Sequence, residues 1–304
     1  IASVDQGDYV QDILSLGSIT AHEQYILTFN NLTRNKKFVH MMRSALERLE
    51  NAYGLPVDVE FTVEIIPDYP DPDFKLNILQ CRPLSQRKAE DRITIPQDID
   101  DEDILFTAHE LIPDGGTEGV RYIVFVDPEA YRLCEIDNKH ALGRAISRLN
   151  RRFENESYIL MGPGRWGSVN IDLGVQVTYA DIHNTKVLVE MAVAHNGQQP
   201  ELSYGTHFFQ DLVEAGIHSL PLHIGQEFSR FNWSFFRQSP NLLAQLQPED
   251  AELEPYLRVI DVASLPGNRR LNILMDGRQD YAMGFLANGD WEDTGGIQST
   301  LSTF

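Results

Sequence analysis

The sequence predicts an α/β or α+β protein built in two parts. Three observations carry this. Segments with apolar residues at every second position alternate with segments whose apolar residues recur at three- and four-residue spacing, the marks of strands and helices in turn. The 304 residues are long for one domain and comfortable for two. The stretch from Pro83 to Asp103 (PLSQRKAEDRITIPQDIDDED) is polar, charged and nearly free of apolar periodicity, as a linker would be. These observations place a first part over 1–88, a linker over 89–103, an α/β domain over 104–288, and a frayed Gly-, Ser- and Thr-rich tail over 289–304.

The elements follow in order. After a weakly patterned polar start, Tyr25 to Phe29 (YILTF) reads as a short strand. Phe38, Met42, Ala45, Leu46, Leu49 and Tyr53 share one helical face, and Gly54 is placed to end that helix. Val57 to Ile66 (VDVEFTVEII) alternates as a half-buried strand does. Pro67 to Phe74 is a rigid turn and Leu76 to Arg82 a second strand, which together make a hairpin. Beyond the linker, Tyr122 to Val126 is a strand and Lys139 to Phe153 a helix buried through Leu142, Ala145, Ile146, Leu149 and Phe153. Tyr158 to Met161 is a strand running into GPGRWGS, and Val187 to Val193 is another. Thr206 to Ala215 is a helix closed by Gly216, followed by a strand from Ser219 to Ile224.

Composition narrows the function. A hydrophobic share of 42% supports a real core. Forty-five acidic against 25 basic residues give a formal charge of −20, which repels phosphate backbones and anionic lipid. Neither nucleic acid nor a membrane is therefore an expected partner, and an anionic ligand would need a local basic pocket. The two cysteines, Cys81 and Cys134, lie in separate elements and suggest neither a disulfide framework nor a zinc site, which fits a cytoplasmic setting. No apolar run approaches the ~20 residues that span a bilayer. The start at Ile1, without an initiator Met or a signal core, leads to the expectation that the chain is part of a longer protein.

Two groups of residues could carry chemistry. In the hairpin, Glu60, Thr62 and Glu64 share one face of the first strand, and Gln80 and Arg82 share one face of the second. If those faces coincide, a carboxylate, an amide and a guanidinium converge. Such a set suits a nucleoside triphosphate, with the carboxylate on Mg²⁺ and the guanidinium on phosphate oxygens. Spacing alone fits an ordinary exposed strand face better. In Gly162 to Ser168 (GPGRWGS), glycines around a proline and an arginine let backbone amides turn toward one point, a nest for anions, with Arg165 adding charge. A tight turn pinned by a buried Trp166 suits the same string equally.

The hairpin strings carry a resemblance. PVDVEF, from Pro56 to Phe61, followed by ILQCRPL, from Ile78 to Leu84, resembles the end of the nucleotide-binding domain of the pyruvate phosphate dikinase and phosphoenolpyruvate synthase family. There an ATP-grasp domain closes with a D-[IV]-E-[FW] strand and a [IL]-L-Q-x-R-P strand. The resemblance implies that Glu60 and Gln80 contact the Mg–ATP and that Arg82 contacts the terminal phosphates. It covers the chain from about residue 20 to about residue 90. It also implies an upstream ATP-grasp segment carrying the glycine-rich loop and lysine, so that this chain alone holds half a nucleotide site and is inactive by itself. GPGRWGS is similar to a string in dikinase-like proteins, which places Gly162, Gly164, Arg165 and Gly167 as ligand-binding candidates.

Dikinases also carry a swivelling domain whose histidine relays the phosphoryl group, in a motif similar to T-S-H-A-A-x-x-A-R-x-x-G-I-P. Here His207 stands nine and ten residues before Gly216 and Ile217, within YGTHFFQDLVEAGI. Thr206 directly precedes the His, two Phe replace small residues and His218 replaces the Pro, so the resemblance is partial. It implies His207 as phosphoryl acceptor at a helix start, with Thr206 as hydrogen-bond donor. A polar helix start whose His satisfies a cap accounts for the same residues. The expected function is an ATP-dependent phosphotransferase using ATP and Mg, whose small-molecule acceptor is pyruvate by family inference. A non-catalytic nucleotide-sensing or assembly module and a carbohydrate dikinase-like enzyme are the alternatives.

Overall fold

In the computed structural model, the described residues are 2–5, 10–12, 24–54, 56–68, 71–83, 93–194, 200, 202–203, 206–226 and 228–289. Beyond Gly289, the tail expected to fray lies outside them, as do 84–92 of the expected linker. The chain divides into two compact units, 1–88 and 89–304, and mixes helices with sheets as the sequence predicts.

In the first unit, β1 (Ala2–Asp5) pairs antiparallel with both β2 (Val10–Asp12) and β3 (Gln24–Leu27). A single turn, α1 (Asn30–Thr33), leads to α2 (Lys36–Tyr53). Asn35 starts α2 by accepting the amides of Lys37 and Phe38, and Gly54, at φ 71°, ends it in the left-handed conformation that glycine adopts without strain. Next come β4 (Val57–Ile66) and β5 (Asp73–Pro83), a long antiparallel hairpin. Its apolar face carries Val57, Val59, Val63, Phe74 and Leu76, and the Phe74 ring meets buried Phe38 of α2 edge-on at 5.7 Å.

The second unit has three layers. A mostly parallel sheet runs in the order β11-β10-β9-β8-β13, formed by β8 (Tyr122–Val126), β9 (Tyr158–Pro163), β10 (Val187–Val193), β11 (His218–Ile224) and the antiparallel β13 (Leu257–Asp261). An antiparallel sheet stacks on one face in the order β12-β6-β15-β14-β7. Its strands are β6 (Ile104–His109), β7 (Gly115–Val120), β12 (Arg230–Phe231), β14 (Arg269–Asp276) and β15 (Tyr281–Asn288). Between the sheets lie Ile123, Phe125, Ile159, Met161 and Val189 against Phe106, Leu271, Ile273 and Met275. Helices cover the opposite face of the parallel sheet. They include α3 (Pro128–Arg132), α4 (Ile136–Arg152), α5 (His207–Glu214) and α7 (Leu243–Leu246), whereas α6 (Trp233–Gln238) packs Phe236 into the core between the sheets.

Strand alternation explains the layering. Tyr122, Val124 and Val126 of β8 point into the helix-side core with Leu142, Ala145, Ile146 and Leu149 of α4, while Ile123 and Phe125 point into the sheet–sheet core. Strands buried on both faces show no polar alternation, as parallel strands under cover on each side do not. Part of the stretch read as linker is packed: Ile93, Ile95 and Ile99 lie against Ile104, Leu274, Met283 and Phe285 on the outer face of the antiparallel sheet. Among the described residues, no helix is long and apolar enough to cross a membrane.

The approach of the segment at Gln176 to α4 depends on Gly143, because a Cβ there would collide with the Gln176 carbonyl oxygen. We expect Gly143→Ala to push that segment off the helix and cost about 1–3 kcal/mol. Urea denaturation of the two proteins measures the difference.

Candidate functional site

The hairpin register brings the first group of residues together. Glu60 of β4 stands directly opposite Gln80 of β5, so the two lie on one face of the sheet, and the backbone of Asp58 pairs in register with that of Arg82. Cross-strand contacts follow this register down the hairpin. The Asn77 amide donates to the Thr62 hydroxyl at 3.5 Å, and the Lys75 ammonium lies 3.6 Å from the Glu64 carboxylate. The Arg82 side chain lies outside the described residues, although its backbone belongs to β5.

A β-bulge makes this face. Glu60 pairs with Gln80 but Phe61 pairs with Ile78, which leaves Leu79 as the extra residue on β5. Unbroken alternation from Phe74, Leu76 and Ile78 would have put residues 80 and 82 on the apolar face. The inserted residue shifts the phase by one, so Gln80 joins Glu60 and Cys81 turns inward beside Val59. Leu79 itself is 64% exposed. The sequence signal is the pair of adjacent apolar residues, Ile78 and Leu79, that interrupts the polar–apolar pattern.

The second group differs from the anion nest expected for Gly162 to Gly167. Four successive loop amides donate to acceptors within the protein: Gly164 to the Met191 carbonyl at 2.9 Å, Arg165 to Leu173 at 2.7 Å, Trp166 to the Glu190 carboxylate at 2.9 Å and Gly167 to Val175 at 3.3 Å. The anion that meets the loop is thus the protein's own. Trp166 is buried, its ring over Gly162, where a Cβ would come within 2.7 Å of the indole. At Gly164, φ is 61° and a Cβ would overlap the Leu173 carbonyl, so glycine alone suits that turn. The loop is a structural turn pinned by its tryptophan. Its amides are spent, so the nest at Gly162, Gly164, Arg165 and Gly167 is corrected to a packing motif.

Glu190 was not a candidate from the sequence. It is the one charged residue in the apolar run VLVEMAV, on the helix-side face of the parallel sheet opposite Gly162. Only 2% exposed, it accepts the Trp166 amide at 2.9 Å and the Ser203 amide at 2.6 Å, and the Ser203 hydroxyl donates to the Trp166 carbonyl at 2.9 Å. Burial pushes its carboxyl pKa up, and the hydrogen bonds from the Ser203 and Trp166 amides and the nearby Arg165 charge offset part of that push.

The third group sits at the end of this chain of contacts. Thr206 caps α5: its hydroxyl accepts the Phe209 amide at 3.3 Å and donates to the Ser203 carbonyl at 2.6 Å. That proton is committed, so the expected role of Thr206 as donor to a phosphoryl group is corrected to a helix cap. His207 is exposed on the first turn. Phe208 turns away from it against Gly167, where a Cβ would lie 2.5 Å from the ring, and Phe209 lines a small cavity with Glu190, Leu202 and Pro221. The two phenylalanines therefore leave the imidazole accessible.

The sign of a pH effect follows from Glu190. Its raised pKa means that the fold favours the protonated acid, a contribution present below the ordinary glutamate pKa and lost as pH rises through the raised value. Glu190→Gln is neutral throughout, so its stability relative to the parent should improve as pH climbs from 4 toward neutrality. Urea midpoints across that range check the slope, and parallel curves would contradict it.

Residues 16–103 match the family model described as pyruvate phosphate dikinase, AMP/ATP-binding domain. No curated protein and no solved structure matched the chain. Among the described residues, no group of three or more His, Cys, Asp or Glu side chains could hold a metal ion. The hairpin that pairs Glu60 with Gln80 lies within the matched residues, and over 16–103 the chain is similar to that AMP/ATP-binding domain.

Proposed function

We propose that the protein is an ATP-dependent phosphotransferase in which the hairpin face carrying Glu60, Gln80 and Arg82 forms one wall of the nucleotide site. The observation that carries this reading is the direct cross-strand pairing of Glu60 with Gln80, created by the bulge at Leu79 inside the matched segment. Glycine-rich loop and lysine would come from an upstream segment.

The donor set suits Mg²⁺ better than a metal held by protein alone. Mg²⁺ is commonly held by one or two carboxylates together with substrate phosphates and water, and Glu60 with the Gln80 carbonyl beside it offers such a set. Bound there, Mg²⁺ would neutralise charge on the phosphate oxygens. The part left to this chain is orientation. Glu60 and Gln80 hold the nucleotide's polar end against the sheet, and Arg82 pairs with the terminal phosphates.

His207 is the acceptor in this reading. An exposed imidazole on the first turn of α5 is open to in-line approach, and the positive end of the helix favours the phosphoryl group once it arrives. Pyruvate, to which His207 would pass the phosphoryl group, remains the final small-molecule acceptor that the family resemblance implies.

Two measurements test the proposal on the protein that includes the upstream segment. Arg82→Ala should weaken ATP binding at least about tenfold, the scale of one lost charge-assisted pair, with the denaturation midpoint unchanged. Incubation with phosphate-labelled ATP should give acid-labile, base-stable label that disappears in His207→Ala. Nucleotide binding without such label would favour the nucleotide-sensing alternative.

A further inference from the structure

The face of α4 turned to solvent is basic in a chain whose formal charge is −20. His140, Arg144, Ser147, Arg148 and Arg151 follow one another at three- and four-residue spacing along the helix, so they form one stripe. With Gln176 and Asp181 opposite, the stripe lines an open groove of about 450 Å³. That volume falls within the range of small-molecule sites, roughly 300–1,000 Å³.

The charges within the groove are not balanced. Arg148 is neutralised by a two-point pair with Asp250, its Nε donating at 2.9 Å. Asp181 is held by the Thr178 amide at 2.8 Å and the Thr178 hydroxyl at 2.7 Å. Arg151 acts on Asp181 through its charge alone. The Arg144 side chain makes no hydrogen bond or ion pair with a described residue, nor does that of His140. Complementing the helix dipole explains Arg151 and Arg152, which lie in the last turn. It does not explain Arg144 or His140, which stand in the middle and first half of the 17-residue helix. Gly143 holds the opposite wall close, as described above.

We propose that this groove binds a small, multiply phosphorylated molecule, with Arg144 and Arg151 as the phosphate-binding pair. The two lie seven residues apart on one face, about 10 Å along the axis, a span that suits two anionic groups better than one. Guanidinium groups match phosphate oxygens two at a time. Among the described residues no aromatic side chain lines the groove, so there is nothing for a nucleobase to stack on, while the Gln176 amide, and the Ser147 oxygen whose proton goes to Asp181, can hydrogen-bond hydroxyl groups. The ligand class is therefore a phosphorylated polyol or diphosphate and not a nucleotide. This site is independent of the hairpin site proposed above.

Titration calorimetry on the whole chain, with EDTA present to suppress metal-dependent nucleotide-site binding, tests it. The probes are fructose 1,6-bisphosphate and inorganic pyrophosphate. We expect saturable one-to-one binding of at least one probe, weakening as NaCl is raised. The double variant Arg144→Gln/Arg151→Gln should lower that affinity at least tenfold without moving the urea midpoint, and Arg82→Ala should leave it unchanged. Absence of saturable binding to both probes overturns the proposal. So does binding that survives the double variant, or binding that Arg82→Ala abolishes.

Discussion

A carboxylate withdrawn from water must be met by donors, and in the second unit Glu190 imposes that demand on everything near it. Its two oxygens are answered by the amides of Trp166 and Ser203, which belong to two segments far apart in sequence. One segment is the glycine-rich turn after β9; the other leads into α5. Through Ser203, whose carbonyl takes the Thr206 hydroxyl, the carboxylate is connected to the cap of α5 and so to the placement of His207. The glycines of the turn serve the same end. They let the Trp166 ring lie on the sheet and the Phe208 ring lie on the loop, which closes the core around the buried charge. Replacing this arrangement by a longer side chain at residue 162 or 167 would separate the donors from their acceptor.

The first unit depends on a different kind of constraint, the parity of a strand. In a two-stranded sheet with one face against a helix, every residue is committed to one side by its position. Gln80 would fall among Phe74, Leu76 and Ile78 if the alternation ran unbroken. The extra residue at Leu79 reverses the commitment midway, so that the same strand packs its first half on α2 and presents the residues of its second half beside Glu60. A bulge of this kind costs ladder hydrogen bonds and exposes a leucine, and what it gains is the aim of a side chain.

Charge is distributed unevenly over this acidic chain, and the pattern matters more than the sum. Arg121 with Asp261 and Glu156, Arg237 with Asp127 and Glu129, and Arg148 with Asp250 are arginines answered by carboxylates and tie one element to another. Arg144, in the α4 groove, is not among them. Its exposed guanidinium has no carboxylate partner among the described residues, and in a protein with 20 more acidic than basic residues it supports the α4 groove as the proposed anion site.

Much of this was legible in the sequence. The α2 face, its end at Gly54, the two hairpin strands and α4 announce themselves by period or by a sharp terminator, and the parallel strands β8 to β11 show as short apolar runs, while β13 was not read. The strings around Glu60 and Gln80 also carried the resemblance to the AMP/ATP-binding domain that matches residues 16–103. The antiparallel sheet was not legible: ILFTAH of β6 is buried along nearly its whole length and shows no alternation, and β7 (GGTEGV) has the composition of a loop. Nor could local pattern reveal which groups the anion-seeking amides of GPGRWGS would meet. That depended on Glu190 and Ser203, brought to the loop only by the stacking of β9 and β10. The sequence determined which residues were polar, apolar or free to turn. Tertiary structure decided which of those polar groups faced each other and which were left to face a ligand, because hydrogen-bond partners are set by distance in space and not by separation along the chain.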